Sequence, residues 1–163
     1  MRDLQDVLKR VEALQAPSRA VIDGSLCGAA SGATFANVSP RDGAKVNDVA
    51  SCDAVDVDRA VAAARTAFED GRWRALSPKE KKKILFRLAD LMEADADNLA
   101  LLESLDVGKP ISEARNVDIP LSIQSARYYA EALDKVYGEV GPAPDGRFSY
   151  ATHEPLGVIG AIV

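Results

Sequence analysis

Cysteine and histidine are nearly absent: the 163-residue chain carries two cysteines, Cys27 and Cys52, and one histidine, His153. A closed zinc site takes four ligands, so three widely spaced ones cannot build it from Cys and His alone. The amino-terminal run MRDLQDVLKRVEAL is amphipathic and acid-bearing, unlike the apolar core of a secretory leader. With so few cysteines and no export signal, the expected compartment is a reducing cytoplasm. No apolar run approaches the ~18–20 residues of a membrane span, so no membrane partner is expected. Positive charge is not in excess either: 20 Lys and Arg against 25 Asp and Glu leave a net charge of -5. That balance argues against nucleic acid as a partner.

What is there suits a globular core, with 47% hydrophobic and 28% charged residues. The cluster Lys79, Lys81, Lys82, Lys83 and Arg87 lies early on an amphipathic helix and is followed by acids from Asp90 to Asp97. It reads as a solvated face rather than a phosphate patch.

Leu4, Val7, Leu8, Val11 and Leu14 recur at helical spacing and predict a first helix that ends before Pro17. Between 20 and 50, the turn sequences Asp23-Gly24-Ser25 and Pro40-Arg41-Asp42-Gly43 separate short apolar runs, which predicts a meander of short strands. Helices follow. Asp53 caps one that carries Val57, Ala60, Val61, Ala64 and Phe68 on one face and ends near Gly71, with Trp73 packing over its end. Ser77-Pro78-Lys79-Glu80 combines an N-cap serine, a first-turn proline and a glutamate at the third position, the capping-box pattern. Ile84, Leu85, Leu88, Leu91 and Met92 form that helix's stripe, and Asp95 restarts a shorter helix that stops at Gly108 before Pro110. A further helical stretch runs from Ile111 to about Val136, interrupted around Asp118-Ile119-Pro120, with Tyr128 and Tyr129 as core and interface aromatics. After a turn over 141–146, Arg147 to Thr152 alternates like a half-exposed strand.

The last seven residues, GVIGAIV from Gly157 to Val163, read as a strand buried on both faces. Burying its four branched side chains would contribute roughly 1.5–3 kcal/mol each, so this strand needs neighbours. The chain therefore reads as the front of a larger protein. Gly157 and Gly160 form G-x-x-G within an apolar strand that meets no following helix, which suits close backbone packing better than a phosphate cradle.

The runs VDRAVAAARTAFEDGRW (57–73), ESLDVGKPISEARNVDIP (103–120), ARYYAEALDKVYGEV (126–140) and HEPLGVIGAIV (153–163) resemble, in order and spacing, the amino-terminal third of the aldehyde dehydrogenase superfamily. The resemblance is nearest to the bacterial aminoaldehyde dehydrogenases, including the γ-glutamyl-γ-aminobutyraldehyde type. It implies an α/β fold: an incomplete Rossmann-like NAD(P)-binding domain of short strands and a helical block, with part of a β oligomerisation arm. The implied division is an N-terminal helix over 1–19, partial cofactor domain over 20–140, β-arm over 141–155 and the start of a Rossmann-type strand over 156–163.

By the same resemblance, the parent enzyme oxidises an aldehyde to a carboxylic acid with NAD or NADP and assembles as a homo-oligomer through its β-arm. That chemistry proceeds by thiolate attack, hydride transfer to nicotinamide and hydrolysis of the thioester. The family's Pro-Trp-Asn, Gly-Ser-Thr, Glu-Leu-Gly-Gly and Gly-Gln-x-Cys segments would all lie beyond Val163. No catalytic or cofactor-binding residue is therefore assigned, and this chain alone is expected to bind no NAD(P) and to turn over no aldehyde. Cys27 and Cys52 do not match the family's catalytic motif and read as structural or incidental, and His153 reads as structural. One partial site is implied: a weak Na⁺ or K⁺ held by backbone carbonyls at Asn37 and Val38 and by the Asp106 carboxylate, against the alternative that Asp106 only terminates its helix. A non-catalytic interaction or oligomerisation module is the competing expectation for the chain as a whole.

Overall fold

The computed structural model describes residues 4–162. Helix α1 (Leu4–Ala13) is followed by four short strands, β1 (Ala20–Ile22), β2 (Ser25–Cys27), β3 (Thr34–Val38) and β4 (Lys45–Ala50). A helical block follows, α2 (Ala54–Glu69), α3 (Pro78–Ala94), α4 (Ala96–Val107), α5 (Ile111–Glu113) and α6 (Ile119–Ala132), and then β5 (Glu139–Gly141) and β6 (Ser149–Ala151). The fold is thus mixed helix and strand. Its sheets among the described residues are three antiparallel pairs, β1–β2, β3–β4 and β5–β6.

Local chemistry sets the boundaries. Asp23 and Gly24 take φ of 50° and 72° between β1 and β2, the paired positive angles of the tight hairpin turn that Asp-Gly favours. Both expected caps form. The Asp53 side chain accepts from Val55 N while Asp56 accepts from Asp53 N, and Ser77 and Glu80 cap each other reciprocally at the start of α3. Asp95 is at once the last cap of α3 and the first of α4, and Gly108 ends α4 at φ 78°.

Proline at 120 interrupts less than the sequence predicts. It sits in the first turn of α6, and the π-helical turn over Ala114–Asp118 carries the helical path into it and absorbs the change of register that proline's missing N–H demands. The helical path is continuous from Ile111 to Ala132, four residues short of the expected Val136.

The core is small. Ala100, Ala114 and Ile119 form its centre, with Ala96, Leu99, Ile111 and Ile123 packed around them. α3 lies along α6, with Ala89 and Ala130 fully buried and Arg127 reaching from α6 to Asp90 at 3.1 Å and Glu93 at 2.6 Å on α3. Because α6 turns this side to α3, Tyr128 and Tyr129 face away: both are exposed and meet edge to face with centroids 5.3 Å apart. Of the expected core and interface roles, their exposure leaves no core one in this chain. On α3, Lys82 pairs with Asp134 and Lys81 lies 5.8 Å over the Trp73 ring, while Lys79, Lys83 and Arg87 are solvated.

Residues 156–162 join no ladder, and Leu156 and Ile159 are 94% and 76% exposed. A strand is defined by its hydrogen-bonding neighbour, and no described residue supplies one here; Val163 lies outside the described residues. Gly157 is the point where this segment touches the body: a Cβ there would sit 3.4 Å from an Arg65 guanidinium nitrogen and 3.8 Å from the Phe68 ring.

Candidate functional site

β3 and β4 pair with Phe35 opposite Val49 and Asn37 opposite Asn47, and the register shifts between Asn37 and Val38. Directly paired residues point to the same face, so Phe35, Asn37, Asn47 and Val49 share one side of the ribbon. The turn beyond β3 is closed by its own hydrogen bonds. Ser39 is buried, its N–H donates to Ala44 O at 2.8 Å, its carbonyl accepts from Gly43 N at 2.8 Å, and Asp42 accepts from Ala44 N at 3.1 Å. The Arg41 guanidinium holds the Asp42 carboxyl below its usual range. Pro40 then lies against the end of α4, so close that a Cβ on Gly108 would fall 2.7 Å from Pro40 Cγ.

This contact brings β3 to the last turn of α4. Asn37 Nδ2 donates to Asp106 Oδ1 at 2.9 Å, across 69 residues of sequence. The last turn of α4 carries no basic residue, so Asp106 adds its charge to the negative end of the helix dipole. Its acidic neighbour is spoken for: Glu103 lies 3.0 Å from Lys109 Nζ, which also reaches Asp118 at 2.7 Å. Those partners, Asp118 first, raise the Lys109 pKa and keep it charged. Among the described residues no Lys or Arg pairs with Asp106.

Beside Asp106 opens a cavity of about 580 Å³, walled by Phe35, Val46 and Val49 from the ribbon and by Leu99, Leu102 and Ile119 from the helices. Ala16 and Pro17 close one side. Asn47 holds that strap, donating from Nδ2 to Ala16 O at 3.3 Å and to Pro17 O at 2.9 Å, while its own Oδ1 is buried without a partner. Further back, Arg10 of α1 meets Asp97 at the start of α4 at 2.8 Å.

The structure thus brings together all three sequence-assigned residues, Asn37 and Val38 at the ladder break and Asp106 across from them. A monovalent cation is a hard ion that prefers oxygen donors; the oxygens gathered here are the Asp106 carboxylate, which has no Lys or Arg partner among the described residues, and the backbone carbonyls at the register break. Among the described residues no three His, Cys, Asp or Glu side chains gather as a metal cluster. Asn47 was not legible as part of this site, because only the strand register places it opposite Asn37.

The remaining candidates are dispersed. Both cysteines are unbridged. The Cys27 thiol donates to Ala20 O at 3.7 Å. Partial loss of hydration, then the Asp56 carboxylate, pushes the Cys52 thiol above its ordinary range, so it stays protonated near neutrality. His153 is exposed. Gly157 is occupied against Arg65 and Phe68, and no helix follows it among the described residues.

The sequence pattern of the aldehyde dehydrogenase family matches residues 28–163. The chain is 46% identical over 150 residues to an aminoacetaldehyde dehydrogenase of Pseudomonas aeruginosa, covering 92% of this chain and 30% of that protein. It is 47% identical over 146 residues to an NADP/NAD-dependent aldehyde dehydrogenase of Escherichia coli, covering 90% and 30%. Among solved structures, the indole-3-acetaldehyde dehydrogenase of P. syringae in complex with NAD+ superimposes with a TM-score of 0.89 at 45% identity, over 94% of this chain and 31% of that one. The γ-glutamyl-γ-aminobutyraldehyde dehydrogenase of Burkholderia cenocepacia superimposes with a TM-score of 0.83 at 46% identity, over 86% and 28%. The chain spans about 30% of the length of the curated relatives it matches. By its sequence over 28–163 and by its fold, the chain belongs to the aldehyde dehydrogenase family.

Proposed function

We propose that these residues are the scaffold-bearing first part of an NAD(P)-dependent enzyme that oxidises an aldehyde, of the aminoaldehyde class, to a carboxylic acid. The observation that carries this reading is the 46% identity over 92% of the chain to an enzyme named for aminoacetaldehyde. On this reading the 163 residues do not turn over aldehyde by themselves: the Cys27 thiol is spent on Ala20 O, and the Cys52 thiol is pushed up rather than down, whereas an attacking thiolate needs an activated sulfur. Their part is to position other groups. Asn37 and Val38 carbonyls with the Asp106 carboxylate form a weak Na⁺ or K⁺ site that ties the β3–β4 ribbon to α4.

The β5–β6 hairpin is the arm through which subunits associate. It carries exposed Val140, Phe148 and Tyr150, and the two rings of Phe148 and Tyr150 stand 5.7 Å apart. Exposed aromatic surface on a two-stranded hairpin with open edges favours pairing with a second copy. The same surface is what a stand-alone interaction module would use.

A chimera tests the reading. Residues 28–163 replace the matching part of the Burkholderia cenocepacia γ-glutamyl-γ-aminobutyraldehyde dehydrogenase, and the product is assayed for aldehyde-dependent reduction of NAD(P). Turnover is expected. A folded chimera that binds NAD but oxidises no aminoaldehyde would overturn it.

A further inference from the structure

We propose that Cys27 and Cys52 are a redox pair: oxidised by hydrogen peroxide, they close to an intrachain disulfide that staples the β1–β2 hairpin to the start of α2. The inference stands apart from the proposed aldehyde chemistry, since it uses only these two thiols and an outside oxidant.

Both thiols are free, and backbone contacts gather them from distant parts of the chain. Cys27 ends β2 opposite Ala20, and its thiol donates to Ala20 O at 3.7 Å. The residues leading into β1 run beside β4: Asn47 Nδ2 donates to Ala16 O and Pro17 O, and Ala50 N donates to Ser18 O at 2.9 Å. Advancing in step with β4, this segment brings Ala20, and Cys27 across from it, toward Ser51 and Cys52. β1 accordingly packs against α2. The residues after Cys27 return to the same place. Ala30 N donates to both Asp56 oxygens at 3.0 and 3.1 Å, and Ala33 O accepts from Ser51 N at 2.9 Å. Cys27 is therefore tied, before and after it in the sequence, to the stretch that carries Cys52.

The two thiols also act on each other. After lost hydration and Asp56, Cys27 is the next group that pushes the Cys52 thiol up, ahead of Asp53, which adjoins Cys52 in the chain. A disulfide needs its two Cα atoms within about 7 Å. Cys52 lies in the irregular link 51–53 between β4 and α2, outside any ladder or helix, where the backbone can adjust to that demand.

Exposure assigns the roles. Cys52 is exposed and Cys27 half-buried, so the oxidant meets Cys52 first. Its sulfur attacks one peroxide oxygen; an S–O bond forms, the O–O bond breaks, and the other oxygen leaves as water with the thiol proton. The Cys27 sulfur then displaces the oxygen: the S–S bond forms, the S–O bond breaks, and a second water carries off the Cys27 proton. The two sulfurs give up two electrons and the peroxide takes them. Lost hydration, Asp56, Cys27 and Asp53 keep the Cys52 thiol protonated, with Arg59 opposing, so the first step is slow near neutrality and answers sustained oxidant. The product closes a loop around β3 and β4 and restrains the unfolded chain.

The test treats the 163-residue chain with hydrogen peroxide and follows it by thiol counting, non-reducing peptide mapping and thermal melting. A peptide linking Cys27 to Cys52 is expected, with both thiols lost together and a melting temperature higher by about 5–15 °C. Dithiothreitol should restore the thiols and the original melting temperature. Cys27→Ser should stop at a Cys52 sulfenic acid trapped by dimedone, and Cys52→Ser should keep its remaining thiol. Loss of the Cys52 thiol with Cys27 still free, chains joined to one another through Cys52, or a linked chain that melts lower than the reduced one would each overturn the pair. Retention of both thiols under peroxide that oxidises free cysteine would do the same. If either serine variant does not fold, the wild-type peptide map and melt decide.

Discussion

Asp56 holds the turn-rich segment after β2 against the start of α2, and removing its charge should loosen both. The side chain is 2% exposed. Its two oxygens lie 3.0 and 3.1 Å from Ala30 N, one also accepts from Asp53 N at 3.3 Å, and Arg59 approaches at 3.3 Å. Replacement by alanine leaves two backbone N–H groups without an acceptor, at roughly 1–3 kcal/mol each where they are buried. The Arg59 side chain is half exposed and recovers its hydration, so its loss adds little. Ala30 and Asp53 are themselves exposed, so water takes over part of the lost pairing, and Asp56→Ala should destabilise the chain by about 1–3 kcal/mol. For a domain of this size that lowers the melting temperature by about 2–12 °C. Asp56→Asn keeps one acceptor oxygen but turns an N–H toward N–H donors, and should fall between parent and alanine variant. Thermal melting by circular dichroism gives the order, and amide exchange at Ala30 reports the local release. Both variants melting within about 1 °C of the parent, with Ala30 still protected, would refute the reasoning.

Gly108→Ala places a Cβ 2.7 Å from Pro40 Cγ at a φ of 78°. The left-handed backbone alone costs about 1–2 kcal/mol, and the clash pushes the β3–β4 turn from α4. The variant should lose the Asn37–Asp106 hydrogen bond, seen as a change in the Asn37 side-chain amide. Lys82 and then Lys135 hold the Asp134 carboxyl down from its ordinary 3.8 to about 2. A depressed carboxylate contributes stability above its unfolded pKa and loses it as pH falls through the folded one, so the α3–α6 link weakens between about pH 4 and pH 2. In Lys82→Met the Asp134 carboxyl should titrate nearer its ordinary value by carbon NMR, and an unchanged titration would remove Lys82 as the cause.

Where local chemistry is written in adjacent residues, the sequence carried the structure. Asp23-Gly24 names its turn, Ser77-Pro78-Lys79-Glu80 names its cap, and Gly108 before Pro110 names its stop. Tertiary facing was harder to see. Tyr128 and Tyr129 lie on an amphipathic helix whose buried side was fixed by packing on α3, which periodicity alone does not orient. Pro120 looked like a break because its place in the first turn of α6 depends on a π-helical turn upstream. Asn37 and Asp106 were found through family resemblance, and the structure joins them directly. Asn47 and Asp56 stayed hidden for one reason: each acts on backbone far away in sequence, Ala16 and Pro17 in one case and Ala30 in the other.

Whether a reacting thiol lies among these residues is tested most directly by incubating the purified 163-residue chain with NAD or NADP and small aminoaldehydes. No aldehyde-dependent reduced nicotinamide should form, because Cys27 is engaged with Ala20 O and the Cys52 thiol is pushed above its ordinary range. Turnover that disappears in Cys27→Ala or Cys52→Ala would contradict this.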